Sequence, residues 1–153
     1  MGINWQGNPE FQRDVHRSVP LTHFAPLAEP DGVRLIVLQH GPGRKQPADA
    51  AFDVVDFAEL PDLDPGPFMD QAALMRNLDL VVTSDTAAAH LAGGLGVRTR
   101  VALPFSPDWR WLPAADTSPW YPTMRLFRQP ELGDWGSVFR RLAEQLGALI
   151  EEL

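Results

Sequence analysis

The sequence predicts an α/β fold: a doubly wound parallel sheet of about five or six strands flanked by helices. Short apolar or β-branched runs without polar alternation recur at 33–39, 80–83 and 100–103, the pattern of strands covered on both faces. Stretches with apolar residues at helical spacing lie between and after them, at 68–78, 84–96 and 134–151. The 15 prolines and 12 glycines imply many turns, while 44% hydrophobic content excludes wholesale disorder. At 153 residues the chain is expected to bury one core of ordinary size, so a single domain over 1–153 is the default.

In chain order, residues 2–5 form a first apolar strand that starts directly after Met1, the abrupt opening expected of half of something larger. Residues 6–19 are polar, with Gly7, Asn8 and Pro9 marking a turn and Arg13, His16 and Arg17 following it. Pro20 opens a short helix with Leu21, Phe24, Leu27 and Ala28 at helical spacing, weakened by Pro26. The second strand, 33–39, ends in Gln39 and His40 at its carboxyl edge. A third strand is expected at 51–57, interrupted by Asp53 and Asp56, and 60–67 reads as loop. In 68–78, Phe68, Ala72, Met75 and Leu78 share one helical stripe.

Residues 79–96, DLVVTSDTAAAHLAGGLG, are the stretch around which the rest is organised. A buried strand at 80–83 runs straight into a helix opened by Ser84, Asp85 and Thr86, residue types that accept from first-turn N–H groups. Thr86 and His90 are four apart and share a face, while Ala88, Leu91, Ala92 and Leu95 turn toward the sheet. Gly93, Gly94 and Gly96 are expected to end the helix. A helix start at the carboxyl end of a parallel strand favours an anion, because unpaired N–H groups and the helix dipole act together.

Pro104 closes a strand at 100–103, and 105–121 is a long irregular stretch carrying Trp109, Trp111 and Trp120. A last short strand is expected at 124–128. Asp134 then caps a helix to about residue 151, with Trp135, Val138, Phe139, Leu142, Leu146 and Leu149 on its apolar face.

The formal charge of −7, with Lys45 the sole lysine, argues against nucleic acid as partner. The absence of cysteine excludes a disulfide framework, a thiolate nucleophile and a zinc knuckle. No run approaches membrane-spanning length and no basic region precedes a long apolar one, so no membrane span and a cytoplasmic location are expected.

The candidate site residues follow from position. Asp85 reads equally as an N-cap and as a group that orients a ligand, and Thr86 shares the ambiguity, its hydroxyl and N–H both able to face a diphosphate. His90 lies one turn into the helix on the Thr86 face, where it is able to donate to phosphate oxygens; a lone helical histidine is otherwise more often structural. Arg17 offers a planar fork after the first strand, although an exposed arginine is the commoner reading. Gln39, His40, Asn8 and Ser84 fall near the same edge as nucleotide-proximal candidates, with Asn8 better suited to a turn. Gly41 to Arg44 lack the GK[ST] ending of a phosphate-binding P-loop, and Asp62 and Asp64 spell DxD inside a proline-rich loop. The four histidines show no metal-ligand spacing.

The stretches GINWQGNP, RSVPL, LIVLQHGPG, LDLVVTSDTAAAHLAGGLG, LPFSPDWRW, SPWYPTMRLFRQ and GDW, in that order, resemble the carboxyl half of bacterial heptosyltransferase-like glycosyltransferases. Within that group the sequence is most similar to those fused to tetratricopeptide repeats. The resemblance covers nearly the whole chain. It implies one Rossmann-like lobe of a B-type glycosyltransferase fold, the lobe that holds a nucleotide diphosphate sugar. By the same resemblance, Asp85, Thr86 and His90 match the DTxxxH segment lining the donor diphosphate, and Arg17 and Gln39 fall in loops approaching the nucleotide. No metal or other cofactor is implied, the nucleotide sugar entering as substrate.

The amino-terminal acceptor half and the repeats of that family are missing from this sequence. Orientation of two substrates supplies up to about 7–11 kcal/mol of such a rate, so catalysis is expected only with a partner lobe from another polypeptide or a homodimer. The apolar face of the last helix is the surface expected to make a dimer contact. Two other classes compete: a non-catalytic interaction module that keeps the fold without the ligand, and another Rossmann-like enzyme such as an epimerase.

Overall fold

Five short strands form one all-parallel sheet in the computed structural model, which describes residues 1–57 and 68–151. They are β1 (Gly2–Asn4), β2 (Ile36–Val37), β3 (Val81–Ser84), β4 (Thr99–Leu103) and β5 (Met124–Arg128), in the order β2-β1-β3-β4-β5. Successive side chains on a strand point to opposite faces, and the core divides accordingly. Val82, Ala102 and Phe127 join one buried cluster, whereas Val81, Val101 and Leu126 join clusters on the other side. Helices cover both faces, as the continuous apolar runs require.

On the first face lie α4 (Trp135–Glu151) and a 3-10 helix at Leu21–Leu27. Leu21, Phe24 and Leu27 are buried at a spacing of three, the period of a 3-10 helix, and Pro26 inside it removes a donor that an α-helix would need. Phe24 meets Phe139 of α4 with ring centroids 4.5 Å apart. Asp134 accepts from the Ser137 N–H at 3.0 Å, the expected cap. Trp135, Val138, Phe139, Leu142 and Leu146 are all buried within the chain's own core. The helix face expected to supply a dimer contact is therefore already spent on intramolecular packing.

The second face carries α2 (Met69–Arg76) and α3 (Ala87–Gly94). Of the stripe expected to bury α2, Met75 is buried and Ala72 and Leu78 are half-buried, whereas Phe68, the left-handed residue just before the helix, is 53% exposed; Gln71 is buried beside Met75. The reason is a specific polar tie, Gln71 Nε2 donating to the Leu38 carbonyl at 2.7 Å. In α3 the buried residues are Ala88, Ala89, Ala92 and Gly93, and Leu91 and Leu95 are half-buried against the same cluster. Of the three glycines expected to end the helix, only Gly96 is left-handed, at φ +71°; Gly93 and Gly94 are helical.

Three further segments differ from the sequence reading. The second strand shrinks to two residues, and the expected strand at 51–57 is reduced to a single parallel bridge from Ile36 to Val55. Asp53 and Asp56, both exposed, flank that bridge and cannot extend a buried ladder. Between β1 and the 3-10 helix there is one unanticipated α-helical turn, α1 (Asp14–Arg17), closed by the Ser18 N–H on the Asp14 carbonyl at 2.9 Å. The long stretch after β4 holds one 3-10 turn, Trp109–Trp111. The loop expected at 60–67, with Asp62 and Asp64, lies outside the described residues. Among the described residues no helix is long and apolar enough to cross a membrane.

Candidate functional site

β1 sits between β2 and β3, so the chain leaves the carboxyl ends of β1 and β3 in opposite directions around the sheet. Such a reversal leaves a crevice beyond the strand ends. A cavity of about 190 Å³ lies there, lined by Arg13, His16 and Arg17 from the segment after β1, by Asp85, Thr86, Ala87 and His90 after β3, and by Asp108, Arg110 and Trp111 after β4. Residues far apart in sequence thus converge because parallel strands all present their carboxyl ends on one edge.

Thr86 occupies the N-cap position of α3 with extended backbone, φ −135° and ψ 174°, but no side chain caps the helix. Its hydroxyl donates instead to Asn4 Oδ1 at 2.9 Å and lies 3.2 Å from the Thr83 hydroxyl. This buried network ties the end of β1 to the end of β3. The expectation that the Thr86 hydroxyl faces a ligand is corrected: the hydroxyl is engaged, and what Thr86 and Ala87 bring to the cavity is an uncapped helix start. The first N–H groups of a helix have no intrahelical acceptor, and the dipole there is positive.

Asp85 lines the cavity, is 8% exposed and is not the N-cap. Burial raises its pKa, and the Trp111 indole, Arg17 and His90 pull it back down. The Trp111 indole nitrogen is fully buried and makes no hydrogen bond of normal geometry, so its influence on Asp85 is that of a nearby dipole. His90 is half-buried, with its ring stacked on Trp111 at 5.1 Å between centroids and its Nδ1 3.1 Å from the Tyr121 hydroxyl. Burial lowers its pKa, Asp85 opposes that, and Arg110 adds to it, which favours a neutral ring.

Arg17 is held in place from two sides. Its Nε donates to Asp14 Oδ1 at 3.0 Å, and its guanidinium carbon stands 4.5 Å from the centre of the Phe11 ring. Asp14, 4% exposed, also takes the Ser18 hydroxyl at 2.7 Å, so both carboxylate oxygens are used. A side chain at Gly7 would meet this pair, its Cβ falling 2.4 Å from Asp14 Oδ1 and 2.7 Å from an Arg17 nitrogen. The glycine is there for close approach. Arg13 donates to the Ser106 carbonyl at 3.2 Å, joining the segments after β1 and β4 across the crevice. Against the opposing effect of its slight burial, Asp108 is held below the usual carboxylate range by the Arg110 N–H, the Arg110 guanidinium and Arg13.

Four of the sequence candidates stand away from the cavity. Gln39, 1% exposed, is a structural clamp: its Oε1 accepts from the N–H groups of Trp5 and Gln6 at 3.0 and 2.9 Å, and its Nε2 donates to the Gln6, His40 and Pro42 carbonyls. His40 is exposed and does not line it. Asn8 accepts from the Glu10 N–H at 3.0 Å, a local turn. Ser84 is fully buried, with its hydroxyl unpartnered. Gln39 and Ser84 are withheld by burial, Asn8 by a local bond.

The chain is similar to Protein FlbA of Caulobacter vibrioides. The identity is 26% over 148 residues, covering 95% of this chain and 24% of the relative, so the chain spans about a quarter of that protein's length. No family model and no solved structure match.

Arg13, His16, Asp108 and Arg110 line the cavity without having been singled out as ligands in the sequence. Their signal was weak because two loops must fold against each other before these charges meet. The three arginines and two histidines outnumber the two aspartates, a local excess of donors in a chain of net charge −7. Among the described residues no cluster of three or more His, Cys, Asp or Glu is arranged to hold a metal ion. The arrangement suits recognition of a small polyanion by amides, guanidinium groups and imidazole.

Proposed function

We propose that this chain is the donor lobe of a glycosyltransferase-like protein and binds a nucleotide diphosphate sugar. The observation that carries the reading is the uncapped start of α3 lining a cavity at the sheet's reversal point, with Arg17 and His90 beside it. In this reading the α3 amides, Arg17 and His90 donate to the diphosphate. An ionised carboxylate only accepts, so in its charged form Asp85 takes a hydroxyl of the ribose or sugar. The charge that builds on a departing diphosphate is met by groups already in place, with no reorganisation. An acceptor and a general base come from a second lobe, and these 153 residues by themselves bind donor without turning it over.

Calorimetric titration with ADP, UDP, GDP and their hexose and heptose conjugates tests this. Binding of at least one is expected, weakened about 10-fold in Arg17→Ala, the loss typical of a charged hydrogen bond. No binding by any of them at millimolar concentration overturns the proposal. A second reading, an interaction module without ligand, is favoured by the exposed aromatics beside the site, Phe105 at 55%, Trp109 at 70% and Trp120 at 59%. A stable dimer in light scattering, with no thermal shift from any nucleotide, is its signature.

A further inference from the structure

α3 carries His90 and Gly93 one turn apart, on neighbouring positions of the same helix face. Gly93 is buried, and a Cβ built there would fall 2.5, 2.7 and 2.9 Å from three ring atoms of Tyr121. The missing side chain is what lets the Tyr121 ring lie directly on the helix. From that seat the ring stands edge-on to the His90 imidazole at 5.8 Å, interplanar angle 61°, and its hydroxyl reaches Nδ1 at 3.1 Å. The opposite constraint comes from Trp111, fully buried and stacked on the imidazole within 18° of parallel. The backbone of Tyr121 is itself fixed, its carbonyl accepting from the Met124 N–H at 3.0 Å where β5 begins. Imidazole orientation is thus set by two rings and one hydrogen bond, all supplied from outside α3.

We propose that Tyr121, seated on Gly93, is a positioning residue that fixes the tautomer of His90. A phenol hydroxyl is a good donor and a neutral imidazole nitrogen a better acceptor than a phenol oxygen, so the hydroxyl donates to Nδ1. The proton of the neutral ring then resides on Nε2, because the bond made by one ring nitrogen decides the state of the other. Among the described residues Nε2 has no hydrogen-bond partner, and His90 lines the cavity. An Nε2–H donor is what an anionic ligand there needs; the other tautomer would present a lone pair and repel it. The tautomer assignment stands on the Tyr121 contact alone, and its use toward a diphosphate rests on the donor-lobe reading.

Long-range proton–nitrogen correlation spectra of the histidine-labelled, ligand-free chain test the assignment directly, with Tyr121→Phe and Gly93→Ala beside the parent and His90→Gln identifying the resonance. In the parent near pH 8, the His90 pattern of a single Nε2–H tautomer is expected. Tyr121→Phe keeps the ring on Gly93 and removes only the hydroxyl, and Gly93→Ala displaces the ring; both are expected to give averaged shifts of mixed tautomers. An Nδ1–H pattern in the parent, or an unchanged pattern in Tyr121→Phe, overturns the proposal whether or not any ligand binds. Titration with inorganic pyrophosphate then reads the consequence: Tyr121→Phe is expected to weaken it about 2- to 10-fold. Absence of pyrophosphate and nucleotide binding to the parent, with the tautomer pattern as expected, sinks the donor-lobe reading and leaves the positioning role of Tyr121 standing.

Discussion

Gly93 and Gly94 are adjacent in one helix, yet substitution by alanine is expected to act in opposite directions. Alanine favours a helix interior over glycine by about 1 kcal/mol, and less at the last turn. At Gly94 nothing lies within 4 Å of the added Cβ, so only this gain operates. At Gly93 the Cβ falls as close as 2.5 Å to the Tyr121 ring, about 1 Å inside normal carbon contact. The ring has to retreat by that amount, and its hydroxyl, 3.1 Å from His90 Nδ1, then leaves hydrogen-bonding range. Overpacking costs about 1–3 kcal/mol and the lost bond about 0.5–1.5 kcal/mol, against about 1 kcal/mol of helix gain, so the net is a loss of about 1–3 kcal/mol. For a chain of this size that is a fall in Tm of about 3–10 °C, while Gly94→Ala gains about 1–3 °C. Urea unfolding followed by circular dichroism, with thermal scans on the same samples, measures both. Equal stability of the two variants would refute the seat assigned to Tyr121.

Other outcomes follow from the site and the core. Asp85 has its pKa raised by burial, so its stabilising contribution is present below the ordinary carboxylate value of about 4 and is lost as pH rises through the raised value. Asp85→Asn is therefore expected to match the parent at pH below about 4 and to exceed it in Tm at pH 7; a variant less stable at pH 7 would show that the charge is held favourably. Asn4→Ala leaves the buried Thr83 and Thr86 hydroxyls without their shared acceptor and is expected to cost about 1–3 kcal/mol in urea unfolding. Phe139→Ala, removing a fully packed ring beside Phe24, is expected to cost about 3–5 kcal/mol in the same assay. Asp14→Asn frees Arg17 of its charged partner and is expected to weaken pyrophosphate binding several-fold in calorimetry, with little loss if Arg17 has no part in the site.

What the sequence determined by itself was the alternation of buried strands and helices, because a strand covered on both faces is apolar without interruption and the chain shows that at 80–83 and, after Arg100, at 101–103. The capped, amphipathic α4 was legible for the same reason: its 3.6-residue stripe and its Asp134 cap are local features. So was the meeting of Asp85, Thr86 and His90 in one place, since they lie within two turns of chain. Tertiary structure decided what local pattern leaves open. Polar side chains such as Gln39, Ser84 and the Thr86 hydroxyl look equally fit for a ligand or for the interior; the packing of β1 against β3 consumed the Thr86 hydroxyl in the Asn4 network, the segments after β1 and β2 took up Gln39, and Ser84 is buried. The roles of Gly7 and Gly93 were invisible for the converse reason, as each answers to a side chain brought near by the fold, Arg17 and Tyr121. Burial and close approach are properties of pairs of segments, and a single strand of text carries no record of which segments will meet.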